Sequence, residues 1–272
     1  MTLYISDLDG TLLNNSAQIS CKSAKLLNEA IKNNINFTIA TARTPATIVP
    51  ILKDINIKLP VIVMNGSSIY NVKTNEYLHT QSINKAIIPK LQQLIYDEDL
   101  NPFIYTLKDN HLYVYHNELN LPHQIKFYNE RKNNPLKTFI KEPLPENVDV
   151  LYFTIIDSKE KISNLYSKLL DIPEISVVMY SDIYNETIFN LEIYDCNTSK
   201  SNAINYLKNY FHFDKLITFG DNINDIPMFK ISDECYAVKN AANELKELAT
   251  DIIDLNTSDS VAKYIYNQYI NK

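Results

Sequence analysis

Only three glycines occur in this chain of 272 residues, and their positions constrain its fold more than any other feature. Average usage of about 7% would give roughly 19 glycines in a chain of this length. We therefore expect glycine only where the backbone needs a positive φ or where another group comes close. Gly10, Gly66 and Gly220 each follow a short run of strand-forming residues. They predict tight turns at the ends of strands.

Two parts of the chain alternate between short apolar strand patterns and amphipathic helix patterns. In the first part we predict strands at 3–6, 36–40 and 61–64, and helices at 20–34 and 45–53. Ser20 caps the first helix, and Pro45 suits the first turn of the second. In the second part we predict helices at 198–210 and 223–230, strands at 216–219 and 235–238, and two closing helices. This order predicts an α/β fold with a parallel sheet, in which ligands bind at the carboxyl ends of the strands.

The middle of the chain has a different pattern, in which helices are mixed with pairs of strands. Helices are predicted at 84–97 and 158–170, and strands at 102–107, 111–115, 150–156, 175–180 and 187–193. This mixture predicts a smaller α+β domain inserted into the α/β domain. We place the insertion at 83–190, which leaves a discontinuous core domain of 1–82 and 191–272.

Composition and charge exclude several classes of function. A hydrophobic content of 45% predicts a globular protein, and a net charge of −6 disfavours a nucleic-acid partner. The three cysteines lie far apart, which argues against a zinc site and against a disulfide framework. The N-terminus does not resemble a signal peptide, and no apolar run approaches the ~18 residues of a membrane span. We therefore expect a cytoplasmic protein without a membrane partner.

Two acidic residues directly follow the first predicted strand, in the sequence Asp7-Leu8-Asp9-Gly10-Thr11. Like charges this close raise each other's pKa unless a cation compensates them. Mg²⁺, which prefers oxygen ligands, would provide that compensation and could bridge a phosphate. The alternative is a simple Asp-Gly turn with an N-capping aspartate.

A second acidic cluster follows the strand that ends at residue 219. It reads Gly220-Asp221-Asn222-Ile223-Asn224-Asp225. Because carboxyl ends of parallel strands meet at one sheet edge, Asp221 and Asp225 would join the first pair in a shell of four carboxylates. Taken alone, the cluster could also be a helix start capped by Asn224 or Asp225.

Two further residues at element ends could hold a phosphate. Thr41 follows the second strand and could bind a phosphate oxygen at the start of the next helix. Lys200 lies at a predicted helix start, the end that disfavours a cation, which suggests an anionic partner. The alternatives are a helix N-cap for Thr41 and a solvated surface for Lys200.

These clusters together resemble the haloacid dehalogenase superfamily, specifically its Cof-type, subclass IIB small-molecule phosphatases. The match comprises Asp-x-Asp-Gly-Thr at 7–11, Thr41, Lys200, and Gly-Asp-x-x-Asn-Asp-x-x-Met at 220–228. The resemblance implies a Rossmann-like core split by an α+β cap domain of the C2 type. It also implies Mg²⁺-dependent hydrolysis of a small phosphorylated metabolite, such as a sugar or cofactor phosphate, through an aspartyl phosphate.

The resemblance implies a role for each residue of the pattern. Asp7 is the implied nucleophile, and Asp9 the acid for the leaving alcohol and then the base for water. Asp7, the backbone carbonyl of Asp9, and Asp221 would hold Mg²⁺, supported by Asp225. The implied phosphate-binding residues are Thr41, Lys200 and Asn224, with backbone N–H groups near Leu8 and Ala42. Phosphoryl transfer depends mainly on positioning and charge neutralisation, which this set could supply.

Several positions depart from the family pattern, mostly by loss of glycine. Ala42 stands where Thr-Gly-Arg is common, and Lys239 stands before Asn240 where glycine is usual. Lys239 is the departure most able to alter substrate preference. Gly66 fits an Asn-Gly signature that shapes the site wall, or else a simple hairpin turn.

Two arginines are candidates for substrate binding. Arg43 belongs to the segment that contains Thr41, and Arg131 belongs to a basic run in the insertion. That run, at 122–141, carries five basic residues against one acid and could attract an anionic substrate. A solvated surface is the competing interpretation.

Two other functions remain open from the sequence. A phosphomutase would use the same aspartate pair but return the phosphoryl group to its substrate. A phospho-aspartate receiver or silent phosphate-binding module would not catalyse turnover. Receiver domains are about half this length and lack a large insertion, which disfavours the second alternative.

Overall fold

The structure is a computed structural model that describes residues 1–182 and 185–270. Its strands run in chain order: β1 Thr2–Ser6, β2 Asn36–Ile39, β3 Val61–Val63, β4 Ser68–Asn71, β5 Glu76–Thr80, β6 Pro102–Lys108, β7 His111–Tyr115, β8 Lys137–Ile140, β9 Val150–Ser158, β10 Ile175–Ser181, β11 Ile188–Asp195, β12 Lys215–Gly220, β13 Glu234–Val238 and β14 Asp251–Ile253.

The helices alternate with these strands. They are α1 Cys21–Lys32, α2 Pro45–Ile51, α3 Ile88–Asp97, α4 Pro122–Arg131, α5 Lys159–Leu169, α6 Lys200–Tyr210, α7 Ile226–Lys230, α8 Asn243–Lys246 and α9 Ser260–Ile270. Within the described ranges, none of these helices is both long enough and apolar enough to cross a membrane.

The chain divides into two compact units. One unit comprises residues 1–79 and 199–272, and the other comprises residues 80–198. The divisions predicted from the sequence lie at 82/83 and 190/191. The second of these falls inside β11, so the strand continues past the predicted division. The last two residues of the predicted core range lie outside the described residues.

A five-stranded sheet forms the centre of the first unit. Its order is β14-β13-β12-β1-β2, and all of its pairings are parallel. Ser6 of β1 pairs with Ile39 on one side and with Phe219 on the other. These strands therefore end at the same edge, which confirms the predicted α/β fold and places the residues after β1, β2 and β12 side by side.

The third predicted strand joins a different sheet. β3 pairs antiparallel with β4, and a three-stranded sheet has the order β3-β4-β5. In the described residues one parallel bridge, between Ala40 and Ile62, links β3 to the chain just after β2, so the predicted parallel pairing is present at a single position. The hairpin turn between β3 and β4 contains three consecutive positive φ values, ending at Gly66 with φ 96°. Asn-Gly thus does form a hairpin turn here, as one of the two interpretations predicted.

The positions of the helices agree with most of the sequence predictions. The Ser20 side chain accepts a hydrogen bond from the Ser23 backbone N–H and caps α1, as predicted. α1 packs against α9. Four elements were not predicted: β5, α4, β8 and β14. β14 has only three residues, and α4 has one fully buried side chain, so neither leaves a clear apolar pattern in the sequence.

The second unit contains a six-stranded sheet with the order β10-β11-β9-β6-β7-β8. Every pairing is antiparallel except that between β7 and β8. A hydrophobic core lies between one face of this sheet and helices α3 and α5. It includes Leu91, Ile95, Phe153, Leu165 and Ile193. Helices packed on one face of a mainly antiparallel sheet give the α+β architecture that the sequence predicts for the insertion.

Both the backbone conformation and the surroundings of residue 66 require a glycine at this position. A Cβ at this position would lie 2.1 Å from the Ser199 backbone carbonyl oxygen, immediately before α6. That oxygen belongs to the backbone and cannot move away as a flexible side chain could. The β3–β4 turn therefore needs glycine in order to contact the start of α6.

We expect Gly66→Ala to lower the free energy of unfolding by about 2–4 kcal/mol, because it adds strain at positive φ to a backbone clash. Urea denaturation measures this change. Lys73→Ala, at an exposed residue of the β4–β5 turn, is the control and should change the free energy by less than about 0.5 kcal/mol. A Gly66→Ala protein as stable as the wild type would contradict the close contact.

Candidate active site

Asp7 is the first residue after β1 and lies at the carboxyl edge of the parallel sheet. Its backbone N–H donates to the Phe219 carbonyl (2.9 Å), so the chain stays in sheet register one residue beyond the strand. The residue is 5% exposed. Its Oδ1 accepts a hydrogen bond from Lys200 Nζ, whereas Oδ2 has no hydrogen-bond partner among the described residues. Lys200 thus fixes one carboxylate oxygen of Asp7, and the other oxygen makes no hydrogen bond in the described residues.

Lys200 is the first residue of α6, and its side chain is buried. Its Nζ donates to Asp7 Oδ1 (2.6 Å) and to Asp225 Oδ1 (2.7 Å). The Ser199 side chain caps the helix by accepting from the Asn202 N–H. Burial alone would lower the pKa of Lys200, but Asp225 and Asp7 outweigh it and raise that pKa, so the ammonium stays charged. The alternative of a solvated lysine is wrong.

Asp225 is fully buried and uses both of its carboxylate oxygens. Oδ1 accepts from Lys200, and Oδ2 accepts from the backbone N–H groups of Asp221 (3.0 Å) and Asn222 (3.2 Å). The Asp225 side chain accepts from the Asn222 backbone N–H, and the Asn222 side chain accepts from the Asp225 backbone N–H. These two bonds form a capping box at the turn after β12. Asp225 therefore fixes the loop that carries Asp221. A helix start is present here as one interpretation expected, but the N-cap side chain that accepts a hydrogen bond is that of Asn222 rather than Asn224 or Asp225.

The carboxylates at this edge carry more negative charge than the single lysine balances. Burial raises the pKa of Asp7, and Asp225 and Asp221 raise it further against the opposing effect of Lys200. Burial, followed by the charge of Asp225, raises the pKa of Asp221 to about 6. Three acids next to one ammonium leave an excess negative charge that a divalent cation would relieve.

The geometry of these acids fits a bound cation. One oxygen from each of Asp7, Asp221 and Asp225 lies within 4.8 Å of the other two. All three potential metal-ligand atoms are carboxylate oxygens, which Mg²⁺ prefers as ligands. The residues present therefore suit Mg²⁺ in both charge and chemistry.

The turn after Asp7 brings a second group of residues to Asp221. Thr11 Oγ1 donates to Asp221 Oδ1 (2.9 Å). Gly10 has φ 75°, and a Cβ there would lie 2.2 Å from Asp221 Oδ2. The Asn240 side chain donates to the Gly10 carbonyl (2.7 Å). No role is predicted for Thr11 or Asn240 from the sequence, although Thr11 belongs to the motif at 7–11 and Asn240 follows Lys239.

Asp9 is not among the three acids whose oxygens come together, so the predicted shell of four carboxylates has three members in the described residues. Asp9 pairs with Arg43 instead. The Arg43 guanidinium donates Nε to Asp9 Oδ2 (2.8 Å) and Nη2 to Asp9 Oδ1 (2.6 Å). The Asp9 side chain is 52% exposed. The sequence analysis named both residues but did not predict that they form a pair.

Thr41 lies buried at the end of β2, at the same sheet edge as Asp7. Its backbone N–H donates to the Ile62 carbonyl, and its Oγ1 accepts from the Arg43 N–H (3.2 Å). Thr44, three residues later, is the residue that precedes α2, so the N-cap alternative for Thr41 is wrong. Ala42 between them is exposed.

Other predicted residues are not connected to the acidic cluster in the described parts of the chain. The Leu8 side chain is buried in the core, so that only its backbone could serve a ligand. Asn224 is exposed, and no described hydrogen bond joins its side chain to the acids. Arg131 belongs to the 80–198 unit, where it pairs with Glu130 and stacks on Phe127.

A model of haloacid dehalogenase-like hydrolases matches residues 4–265 of the chain. The chain belongs to the haloacid dehalogenase-like hydrolase family. It is therefore an enzyme, as the sequence predicts. A relative with a phosphatase name is 5-amino-6-(5-phospho-D-ribitylamino)uracil phosphatase YwtE of Bacillus subtilis, which is 26% identical over 285 residues and aligns with 95% of each chain.

Solved structures of this family have the same fold. A haloacid dehalogenase-like hydrolase from Bacteroides thetaiotaomicron gives a TM-score of 0.79 at 22% identity, covering 98% of this chain and 99% of that one. The subclass IIB sugar phosphatase BT4131 gives a TM-score of 0.76 at 18% identity, covering 99% and 100%. The resemblance to this superfamily and its subclass IIB fold is confirmed.

The charge excess predicts how Mg²⁺ affects stability. The folded-state pKa of Asp221, about 6, lies above its ordinary value of 3.8, so ionising this group destabilises the metal-free fold as pH rises from about 4 to 6. At pH 7.5, Mg²⁺ at ~100 times its Kd should stabilise the fold by about 2.7 kcal/mol, roughly 5–10 °C in Tm. At pH 5 protons compete with Mg²⁺ for the carboxylates, so the increase in Tm caused by Mg²⁺ should be smaller.

Thermal unfolding with and without Mg²⁺ measures this effect, with Asp221→Asn as the test variant. Asn removes the charge, so the metal-free variant should be at least as stable as the wild type at pH 7.5 and should lose most of the Mg²⁺ shift. Asp54→Asn, at an exposed aspartate of the same unit, should keep the full shift. An equal Mg²⁺ shift in all three proteins would exclude binding at Asp221.

Proposed function

We propose that this enzyme is a Mg²⁺-dependent phosphatase that hydrolyses small phosphomonoesters through a phosphorylated Asp7. The observation that carries the proposal is the Lys200 ammonium between Asp7 and Asp225 at the carboxyl edge of the sheet, with Asp221 within reach of one cation. A phosphoryl group bears negative charge on its oxygens. An ammonium group and cation-binding carboxylates lie around one carboxylate oxygen that has no described hydrogen bond. Such a site suits the transfer of a phosphoryl group.

In the first step, Asp7 Oδ2 forms a bond to phosphorus as the bond from phosphorus to the leaving oxygen breaks. Lys200 keeps Asp7 Oδ1 in place, so the nucleophile presents its other oxygen in a defined direction. The Asp9 carboxyl gives its proton to the leaving oxygen, which departs as a neutral alcohol. Asp9 lies in the exposed part of the turn, where a leaving group could be reached.

In the second step, water attacks phosphorus and the bond from phosphorus to Asp7 breaks. Asp9, now a carboxylate, takes the proton from that water, so each turnover returns both aspartates to their starting states. An acyl phosphate is labile to such attack, which suits hydrolysis as the second half of the cycle. The products are inorganic phosphate and the alcohol.

Asp7, Asp221 and the backbone carbonyl of Asp9 are the groups that we propose to hold Mg²⁺, with Asp225 fixing the loop of Asp221. When bound, the ion would supply charge neutralisation for the phosphoryl oxygens. Lys200, the Thr41 hydroxyl and the backbone N–H groups after Asp7 would bind the same oxygens. Asn224 and Ala42 remain weaker members of this proposed set because both are exposed.

The proposed substrate class is small phosphorylated metabolites. The named relative acts on a phosphoribityl compound, and a sugar phosphatase shares the fold. The proposed role of the 80–198 unit is that of a cap domain, and Arg131 stays a proposed substrate-binding residue within it. A phosphomutase would use the same aspartates but produce an isomerised phosphate ester rather than free phosphate.

Phosphate release from a panel of sugar phosphates, flavin mononucleotide and pyridoxal 5′-phosphate tests the proposal. Activity should require Mg²⁺ and disappear with EDTA. Asp7→Asn should lower kcat by at least ~1,000-fold, because it removes the attacking oxygen, whereas the matched Asp54→Asn should retain wild-type activity. Phosphate release that persists in Asp7→Asn would exclude this mechanism, and an isomerised ester without free phosphate would indicate the mutase.

A further inference from the structure

The Asp9 carboxylate depends on a single residue for its orientation. In the described parts of the chain, its side-chain hydrogen bonds and ion pair all come from Arg43. The side chain is 52% exposed, so packing does little to restrict its rotamers. An aspartate that must transfer protons at one defined atom cannot rely on such freedom, because proton transfer requires a positioned group.

The backbone of Arg43 makes a hydrogen bond on each side of the residue. Its N–H donates to Thr41 Oγ1 (3.2 Å), and its carbonyl accepts from the Met64 N–H (3.0 Å). The loop after β2 is thereby tied to the turn after β3. The Arg43 side chain is 28% exposed, and its hydrogen bond to Asp9 raises the pKa of Arg43 against the effect of burial. The guanidinium is therefore a fixed, permanently charged group.

The pair has the bidentate form that only arginine can provide. Nε and Nη2 each contact a different oxygen of Asp9, at 2.8 and 2.6 Å. Such a planar fork fixes the plane of the carboxylate as well as its distance. A lysine would supply the same charge at one point and leave the carboxylate free to rotate.

We propose that Arg43 is a positioning residue that orients Asp9 for proton transfer to the leaving group. This inference rests on the proposed phosphatase function and adds a residue to it. Exposed ion pairs contribute little to stability, so the main consequence of this contact is the orientation of Asp9.

The arrangement is compatible with the proton balance of the first step. When Asp9 carries a proton on one oxygen, the other oxygen still accepts an N–H of the same guanidinium. The proton passes to the leaving oxygen as the bond to phosphorus breaks, and the carboxylate that remains regains both contacts. Arg43 keeps its own protons throughout.

Leaving-group dependence separates this role from substrate binding. An alkyl leaving group needs a proton as it departs, whereas 4-nitrophenolate departs without one. The value of kcat/KM reports on steps up to phosphoryl transfer and excludes hydrolysis of the phospho-enzyme. Loss of Asp9 orientation should therefore lower kcat/KM for an alkyl phosphate alone, whereas loss of a phosphate-binding residue should lower it for both substrates.

The experiment measures kcat/KM of Arg43→Lys and Arg43→Ala with 4-nitrophenyl phosphate and with the best alkyl phosphate of the panel. We expect both variants to lose about 10- to 100-fold with the alkyl phosphate and less than about threefold with the aryl phosphate. Arg43→Lys retains the charge. A loss of activity in this variant as large as that in Arg43→Ala would therefore identify the bidentate contact with Asp9, rather than the charge, as the required feature. Circular dichroism and Tm should match the wild type.

A double-mutant cycle with Asp9→Asn completes the test. Arg43→Lys should cause no further loss with the alkyl phosphate in the Asp9→Asn background, because the group that it positions no longer transfers a proton. Equal losses on both substrates, full activity of Arg43→Lys, or an undiminished effect in the Asp9→Asn background would overturn the inference. A wild type inactive on both substrates would overturn the proposed function, and the inference with it.

Discussion

The hydrogen bonds from Lys200 to Asp7 and Asp225 are the interaction on which the site depends. They join the end of β1 and the turn after β12 to the start of α6, and Lys200 lies 193 positions from Asp7 in the chain. Removing one partner from such a buried ion pair is costly, because the remaining charge stays away from water. The three residues therefore belong to the fold as much as to the chemistry, and the close contact of Gly66 with Ser199 supports the same helix start.

The arrangement leaves an excess of negative charge at the sheet edge. One lysine cannot balance Asp7, Asp221 and Asp225, and burial amplifies the repulsion among them, as the raised pKa values of Asp7 and Asp221 indicate. A site in this state has a strong preference for a divalent cation. By contrast, the exposed Asp9 is balanced one to one by Arg43. The structure thus separates the buried acids, which we propose to hold the cation, from the acid that we propose to transfer protons.

The sequence predicted the regular elements well where an apolar pattern was long and its ends were marked. Ser20 capped α1 as expected, and the strands around Asp7 and Asp221 ended where the acids begin. It missed β5, α4, β8 and β14, which are short or only partly buried, and it did not predict a separate sheet of β3, β4 and β5 beside the parallel one. Gly220, expected at a tight turn or a close approach, is the last residue of β12 and has no positive φ, but a Cβ there would lie 2.7 Å from Asp225 Oδ2. Short elements at sheet edges follow their neighbours more than their own propensity.

The sequence by itself determined the order of the elements, the acids at the strand ends and the family, because these depend on local patterns and motif spacing. Only the tertiary structure decided which side chains meet. The Arg43–Asp9 fork, the Thr11–Asp221 bond and the Asn240–Gly10 bond join residues 34, 210 and 230 positions apart. No local pattern encodes such contacts, because they arise only when parallel strands bring their carboxyl ends to one edge.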